Sequence, residues 1–137
     1  MKTIKVFLIL YLISMNFSQI YGQRNVKGRI IDDSLDGIMG AQIIDKNNNV
    51  GLGQADSGGF FNIAIPNGIN KLGFIQLGYE FANIEVSDSC NYIEVILLPD
   101  IHYDFMSSRK IDKLRKKEFD KLQQLHLNAF GKGIFTK

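Results

Sequence analysis

Between residues 26 and 98 the chain repeats one pattern, short runs of β-branched and aromatic residues closed by clusters of Gly, Asn, Asp or Pro. The runs at 26–31, 41–45, 50–55, 60–65, 72–77, 81–86 and 92–98 predict seven strands. The intervals between them leave no room for crossover helices, so alternating βαβ units are excluded and an antiparallel sandwich is expected. The turns carry suitable chemistry. Lys46-Asn47-Asn48-Asn49 offers residues that tolerate positive φ, Asp56-Ser57-Gly58-Gly59 offers an Asp able to cap its own turn, and Pro66-Asn67-Gly68 joins a fixed φ to a free one.

Alternation within the runs separates a core face from an outer one. Phe61, Ile63 and Ile65 share one side of their strand, with Phe60, Asn62 and Ala64 on the other. Val26, Ile30, Ile43, Phe74, and Tyr92 with Val95 and Leu97, are the matching core candidates.

The ends of the chain read differently. Residues 1–22 have Lys2 and Lys5, then an apolar run over 6–15, then small and polar residues, which is the layout of a secretory signal peptide cleaved before Gln23. The run is about half the roughly 20 residues a spanning helix needs, and nothing after residue 23 is apolar for long enough, so the mature chain is expected to be exported with no membrane span. The lone Cys90 cannot form an internal disulfide, which suits an oxidising compartment; an ordinary loop or strand-start position is expected for it. Residues 23–98 hold 5 basic and 9 acidic side chains, whereas 99–137 hold 9 and 5. The mature balance of 14 against 14 excludes the basic excess of a nucleic-acid binder. Over 108–130 the apolar residues Ile111, Leu114, Phe119, Leu122, Leu125 and Phe130 fall on one side of an amphipathic helix, interrupted by Arg115 and Glu118, with Ser107 or Ser108 placed to cap it and Gly131 to end it. Such a tail packs on its own sandwich, docks on a partner, or lies on a membrane surface; composition leaves the three open.

Gly28, Ile30 and Asp32, followed by Ile38, Gly40 and Ala41, form the first of three ordered motifs. Ala55, Asp56, Gly59, Phe61, Ile63, Ile65 and Pro66 form the second, and Phe74, Leu77, Gly78, Tyr79 and Glu80 the third, before a closing apolar strand over 93–98. Together they resemble the carboxypeptidase-regulatory-like domain, a transthyretin-like β-sandwich. The chain departs from that pattern at Ala55, where the family has Thr, and at Met39, where it has Pro. The resemblance implies an all-β, seven-stranded antiparallel transthyretin-like (Ig-like) sandwich over 23–99 with a C-terminal amphipathic helix over 100–137. It also implies a non-catalytic role, since such domains accompany exported metallocarboxypeptidases and lead the TonB-dependent outer-membrane receptors of Bacteroidota-type bacteria. No peptidase domain, plug or barrel follows Pro99 in this sequence.

Sites for chemistry are sparse. His102 and His126 stand 24 residues apart, and neither begins an HxxE or HExxH motif. Asp100, His102 and Asp104 alternate, so an extended segment would bring them to one side as metal ligands, against the ordinary reading of a solvated connection. Asp32, Asp33 and Asp36, with Asp45 nearby, lack the DxDxDG spacing of a calcium loop. Gly51-Leu52-Gly53 lacks the third glycine and following helix of a dinucleotide site. No catalytic residue, metal ligand or cofactor is assigned. The expected function is a non-catalytic interaction or structural module of the bacterial cell envelope, periplasmic or outer-membrane associated, taking a protein partner through edge strands or the tail. The alternative is a small-ligand or glycan-binding sandwich using Phe60, Tyr79 or Tyr92 as stacking faces.

Overall fold

Among the described residues, seven strands form two sheets that close on one apolar layer, β1 (Gln23–Ile31), β2 (Gln42–Asp45), β3 (Val50–Gln54), β4 (Phe60–Pro66), β5 (Lys71–Ile75), β6 (Ala82–Glu85) and β7 (Tyr92–Ile96). The computed structural model describes residues 22–100 and 105–136, so the expected leader, apart from Gly22, lies outside the described residues. Every expected strand is present. The largest difference is at β1, which starts at Gln23 rather than Val26 because Gln23, Arg24 and Asn25 pair with Pro66, Ile65 and Ala64 of β4.

One sheet has the order β4-β1-β7 and the other β3-β2-β5-β6. The second is antiparallel throughout, but in the first β1 pairs antiparallel with β4 and parallel with β7, in the register Lys27↔Tyr92 to Ile31↔Ile96. The expectation of a wholly antiparallel sandwich is therefore corrected to a mixed one. Turn residues report hairpins such as β2–β3; they carry no information about which strand β7 meets after crossing from β6 to the opposite sheet.

Between the sheets lie Val26, Ile30, Ile43, Phe61, Ile63, Ile65, Leu72, Phe74, Val95 and Leu97, with the Phe61 and Phe74 rings 6.0 Å apart. The strand alternation produces this layer directly, as β4 buries every second residue. Tyr92 is the exception among the core candidates. Ile93, Val95 and Leu97 face inward, so Tyr92 shares the outer face with Glu94 and Ile96.

Two turns show why their residues are there. Asp56 Oδ1 accepts the backbone N–H groups of Gly58 and Phe60, both at 2.9 Å, and Gly59 at φ 78° brings its carbonyl to the Ile30 N–H at 2.8 Å. A side chain on Gly59 would also collide with the Ile30 carbonyl.

The tail is two helices, α1 (Ser108–Asp120) and α2 (Leu122–Gly131), divided at Lys121. Ser107 occupies the N-cap, though its side chain makes no capping hydrogen bond. The terminator is Gly133 rather than Gly131. At φ 69° its N–H reaches the Phe130 carbonyl at 3.0 Å, and the Ile134 N–H reaches that of Ala129 at 2.9 Å, the paired bonds of a Schellman motif. This turn sends Phe135 back onto the sandwich. Ile31, Ile96, Leu98, Ala129 and Phe135 form a second apolar cluster on the outer face of the β4-β1-β7 sheet, flanked by Leu122, Leu125 and Ile134. Of the three dispositions open for the tail, α2 thus packs on its own sandwich. Phe119 and Phe130, expected on the same apolar side as Leu122 and Leu125, are exposed. Wound at about 100° per residue, Ala129 shares the bearing of Ile111 at the centre of the buried side, and both Phe residues lie roughly 80–100° away.

Candidate functional site

The free edge of β3 is the feature best built to engage something else. Among the described residues, β3 is the outermost strand of its sheet and pairs only with β2. Its sequence, Val50-Gly51-Leu52-Gly53-Gln54, contains none of the Lys or Pro residues that commonly blunt an edge, and Val50 is 55% exposed. The register runs Ile43↔Gly53 and then Ile44↔Gly51, so Leu52 is the extra residue of a bulge. Leu52 packs against the core, while Gly51 and Gly53 stay exposed and keep the edge free of side chains. A shallow hollow lies at each end of the strand. One is lined by Gln54, Ala55, Asp56, Phe60, Phe61 and Asn62, the other by Val50, Leu52, Pro66, Asn67, Gly68 and Ile69 among others. Five residues of extended chain span about 17 Å, so a peptide strand along β3 would run from one hollow to the other. The opposite edge, β6, carries the exposed Glu85, 3.8 Å from Lys71.

The acidic loop serves the fold. Asp32 Oδ1 accepts the N–H groups of Ser34 and Asp36 at 2.9 and 3.0 Å, shaping the turn that leaves β1. The Tyr79 hydroxyl donates to Asp32, and its pKa is raised above 10.0, first by partial burial and then by the negative charges of Asp32, Asp33 and Asp36. Asp45 does not join this loop; it is 3% exposed and accepts the Asn47 N–H and Asn48 Nδ2 at 2.9 and 2.7 Å, holding the β2–β3 turn. Among the described residues, no three His, Cys, Asp or Glu side chains are grouped so as to hold a metal ion. His102 and Asp104 lie outside the described residues. Asp100 is drawn to the tail, with Arg115 Nη2 at 3.4 Å from its Oδ1. His126 stacks at 5.4 Å on Phe135, and Cys90 is half-buried before β7 with its Sγ 3.6 Å from the Tyr92 carbonyl.

The three aromatic stacking candidates do not converge. Phe60 and Tyr92 lie on the outer face of the β4-β1-β7 sheet on either side of β1, whereas Tyr79 forms an isolated bridge with Pro99 elsewhere. The Arg29 guanidinium already covers the Phe60 ring, 4.5 Å from its centroid. Arg29 also donates to the Ile134 carbonyl at 3.4 Å, and Thr136 donates its hydroxyl to Glu94 at 3.0 Å, so the end of the chain crosses this face.

Arg115 was the interruption in the tail's apolar stripe, and its role is now visible. It pairs with Glu80 at 2.8 Å and with Asp100, tying α1 to the end of the sandwich. The sequence signal lay in the opposite charges of the two segments. The seat of Phe135 was also missed, though an apolar pair directly after Gly133 is the usual companion of a Schellman turn. No family model matches the chain, and no curated protein matches it. Among the described residues, no helix is long and apolar enough to cross a membrane.

Proposed function

We propose that the chain is a non-catalytic, exported module of the bacterial cell envelope, with a transthyretin-like sandwich of the carboxypeptidase-regulatory-like kind, that binds a protein partner by strand addition along β3. The observation that carries the reading is the uncharged edge Val50–Gln54, paired on one side only among the described residues and bounded by a hollow at each end. Backbone groups of an added strand supply affinity, and the two hollows supply selectivity for its side chains. The export part of the reading is supported by the leader-like pattern of residues 1–22, a basic start, an apolar run and small and polar residues before Gln23. The tail supports the sandwich, because α2 and Phe135 cover apolar residues of the strands.

The test is site-specific photo-crosslinking in the expressing cell, with the photoreactive residue at Gly51 or Gln54 and, as control, at Asn83 on the other edge. The expected result is one discrete adduct from the β3 positions, lost when charges are placed on the edge by Val50→Lys together with Gln54→Lys for the Gly51 probe or Gly51→Lys for the Gln54 probe. Equal labelling from both edges, or adducts that survive the lysines, would overturn the assignment.

A further inference from the structure

The outward side of the tail carries a surface that the sandwich does not use. Phe119, Leu127 and Phe130 are 47%, 59% and 58% exposed, although the helices bearing them are docked through other residues. Wound at about 100° per residue, they fall within roughly 80° of one another, on a strip beside the one formed by Leu122, Leu125 and Ala129. The charges are arranged around this strip. Arg109 and Lys116 fall on it together with Asp112, and Lys110, Lys113, Lys117 and Lys121 make a band along its outer border beside Asp120, all of them exposed, so six cations outnumber two carboxylates there. Nothing in α1 is buried, and the cation that ties α1 to the acidic sandwich is Arg115. Lys121 pairs with Glu118 at 2.8 Å along the helix, and the other cations of α1 remain turned to solvent.

We infer that this face lies on an anionic phospholipid surface, with Phe119, Leu127 and Phe130 entering the headgroup boundary and the lysine band pairing with lipid phosphates. The charge complementarity selects an anionic occupant, and the apolar strip selects among anionic ones. A nucleic acid rewards the cations and offers base faces to Phe119 and Phe130, but it gives the aliphatic Leu127 little to bury against. A lipid interface rewards the cations and all three apolar side chains, which is the design of helices that lie in the membrane plane. Contact by this face leaves the β3 edge free, so the inference stands apart from the partner reading. The vesicle experiment contains no protein partner, so either can fail alone.

The experiment is co-sedimentation of the protein, purified from the envelope of an expressing bacterium, with vesicles of pure phosphatidylcholine and of phosphatidylcholine mixed with phosphatidylglycerol. Binding is expected to the anionic vesicles, at least about tenfold tighter than to the neutral ones, and to weaken as salt rises. Lys113→Glu with Lys117→Glu should lower it by about tenfold or more. Phe119→Ser with Phe130→Ser should lower it comparably, both pairs keeping the parent urea midpoint because the four side chains are exposed. The inference is overturned by equal binding to both vesicle types, by no binding, or by binding that either pair of substitutions leaves unchanged. It is also overturned if the parent protein is a dimer that Phe119→Ser with Phe130→Ser turns into a monomer, since a second copy would then cover the strip.

Discussion

Arg115 Nε lies 2.8 Å from Glu80 Oε1, joining the middle of α1 to the segment that leads into β6. The same guanidinium reaches Asp100 at the exit from β7, so one side chain connects the helix to two carboxylates of the sandwich. With no buried residue in α1, this clasp decides where the helix lies. The groups are half-exposed to partly buried, so water screens the pair and its contribution is about 1 kcal/mol. Arg115→Ala is expected to lower global stability by no more than that. It should nevertheless speed amide exchange through α1 while leaving β1 and β7 protected. Unchanged exchange in α1 would show that the clasp does not position it.

Phe135 is 2% exposed, two residues from the end of the chain, and sits against Ile31, Ile96 and Leu98. Removing its ring leaves a void on the outer face of the sheet, so Phe135→Ala should cost about 3 kcal/mol, read as a lower urea midpoint. A chain ending at Pro99 would expose the same three residues and is expected to bind a hydrophobic dye and self-associate. A truncated chain that stays monomeric with the parent midpoint would refute this role of the tail.

The legible and illegible parts of the chain divide by the range of the interaction. Strand alternation and the Asp56 turn depend on residues a few positions apart, and both stand where the sequence places them. The parallel pairing of β7 with β1 depends on where a crossing lands, and the burial of Ala129 in place of Phe119 depends on which side of the helix meets the sheet. Neither is encoded locally. Tyr92 went astray by one residue, which in a strand moves a side chain to the opposite face. The candidate site divides in the same way. The uncharged Val50–Gln54 segment is readable as composition, but its status as an edge follows from strand order, and its two hollows from turns distant in sequence.

Two glycines in strands of different sheets should respond oppositely to the same change. A Cβ on Gly28 would strike the Ile93 carbonyl and the Phe61 ring, in the strand that joins β4 to β7. Neither neighbour can withdraw without opening a pairing, so Gly28→Ala should cost about 3 kcal/mol or fail to fold. At Gly51 an added Cβ meets open space and the backbone is not left-handed. Gly51→Ala should therefore be neutral or stabilise by about 0.5 kcal/mol, by restricting the unfolded chain. Denaturation midpoints of the two variants decide the matter, and similar losses at both positions would contradict the close packing of β1.

Tyr79 links the acidic loop after β1 to the corner before β6, and its ionisation should be visible in the stability of the fold. Partial burial raises its pKa above the ordinary 10.0, and the charges of Asp32, Asp33 and Asp36 raise it further. The folded chain therefore holds the phenol proton at a pH where the unfolded chain releases it. This contribution to stability is complete below pH 10.0, and it is lost as pH rises from there through the folded pKa. Tyr79→Phe should flatten that part of the alkaline stability curve and remove the highest-pH component of the tyrosinate absorbance titration. Asp32→Asn should bring the same component part of the way back toward 10.0, because it removes a charge and weakens the hydrogen bond while leaving the burial in place. A tyrosinate titration unaffected by Asp32→Asn would mean that the loop does not hold the phenol.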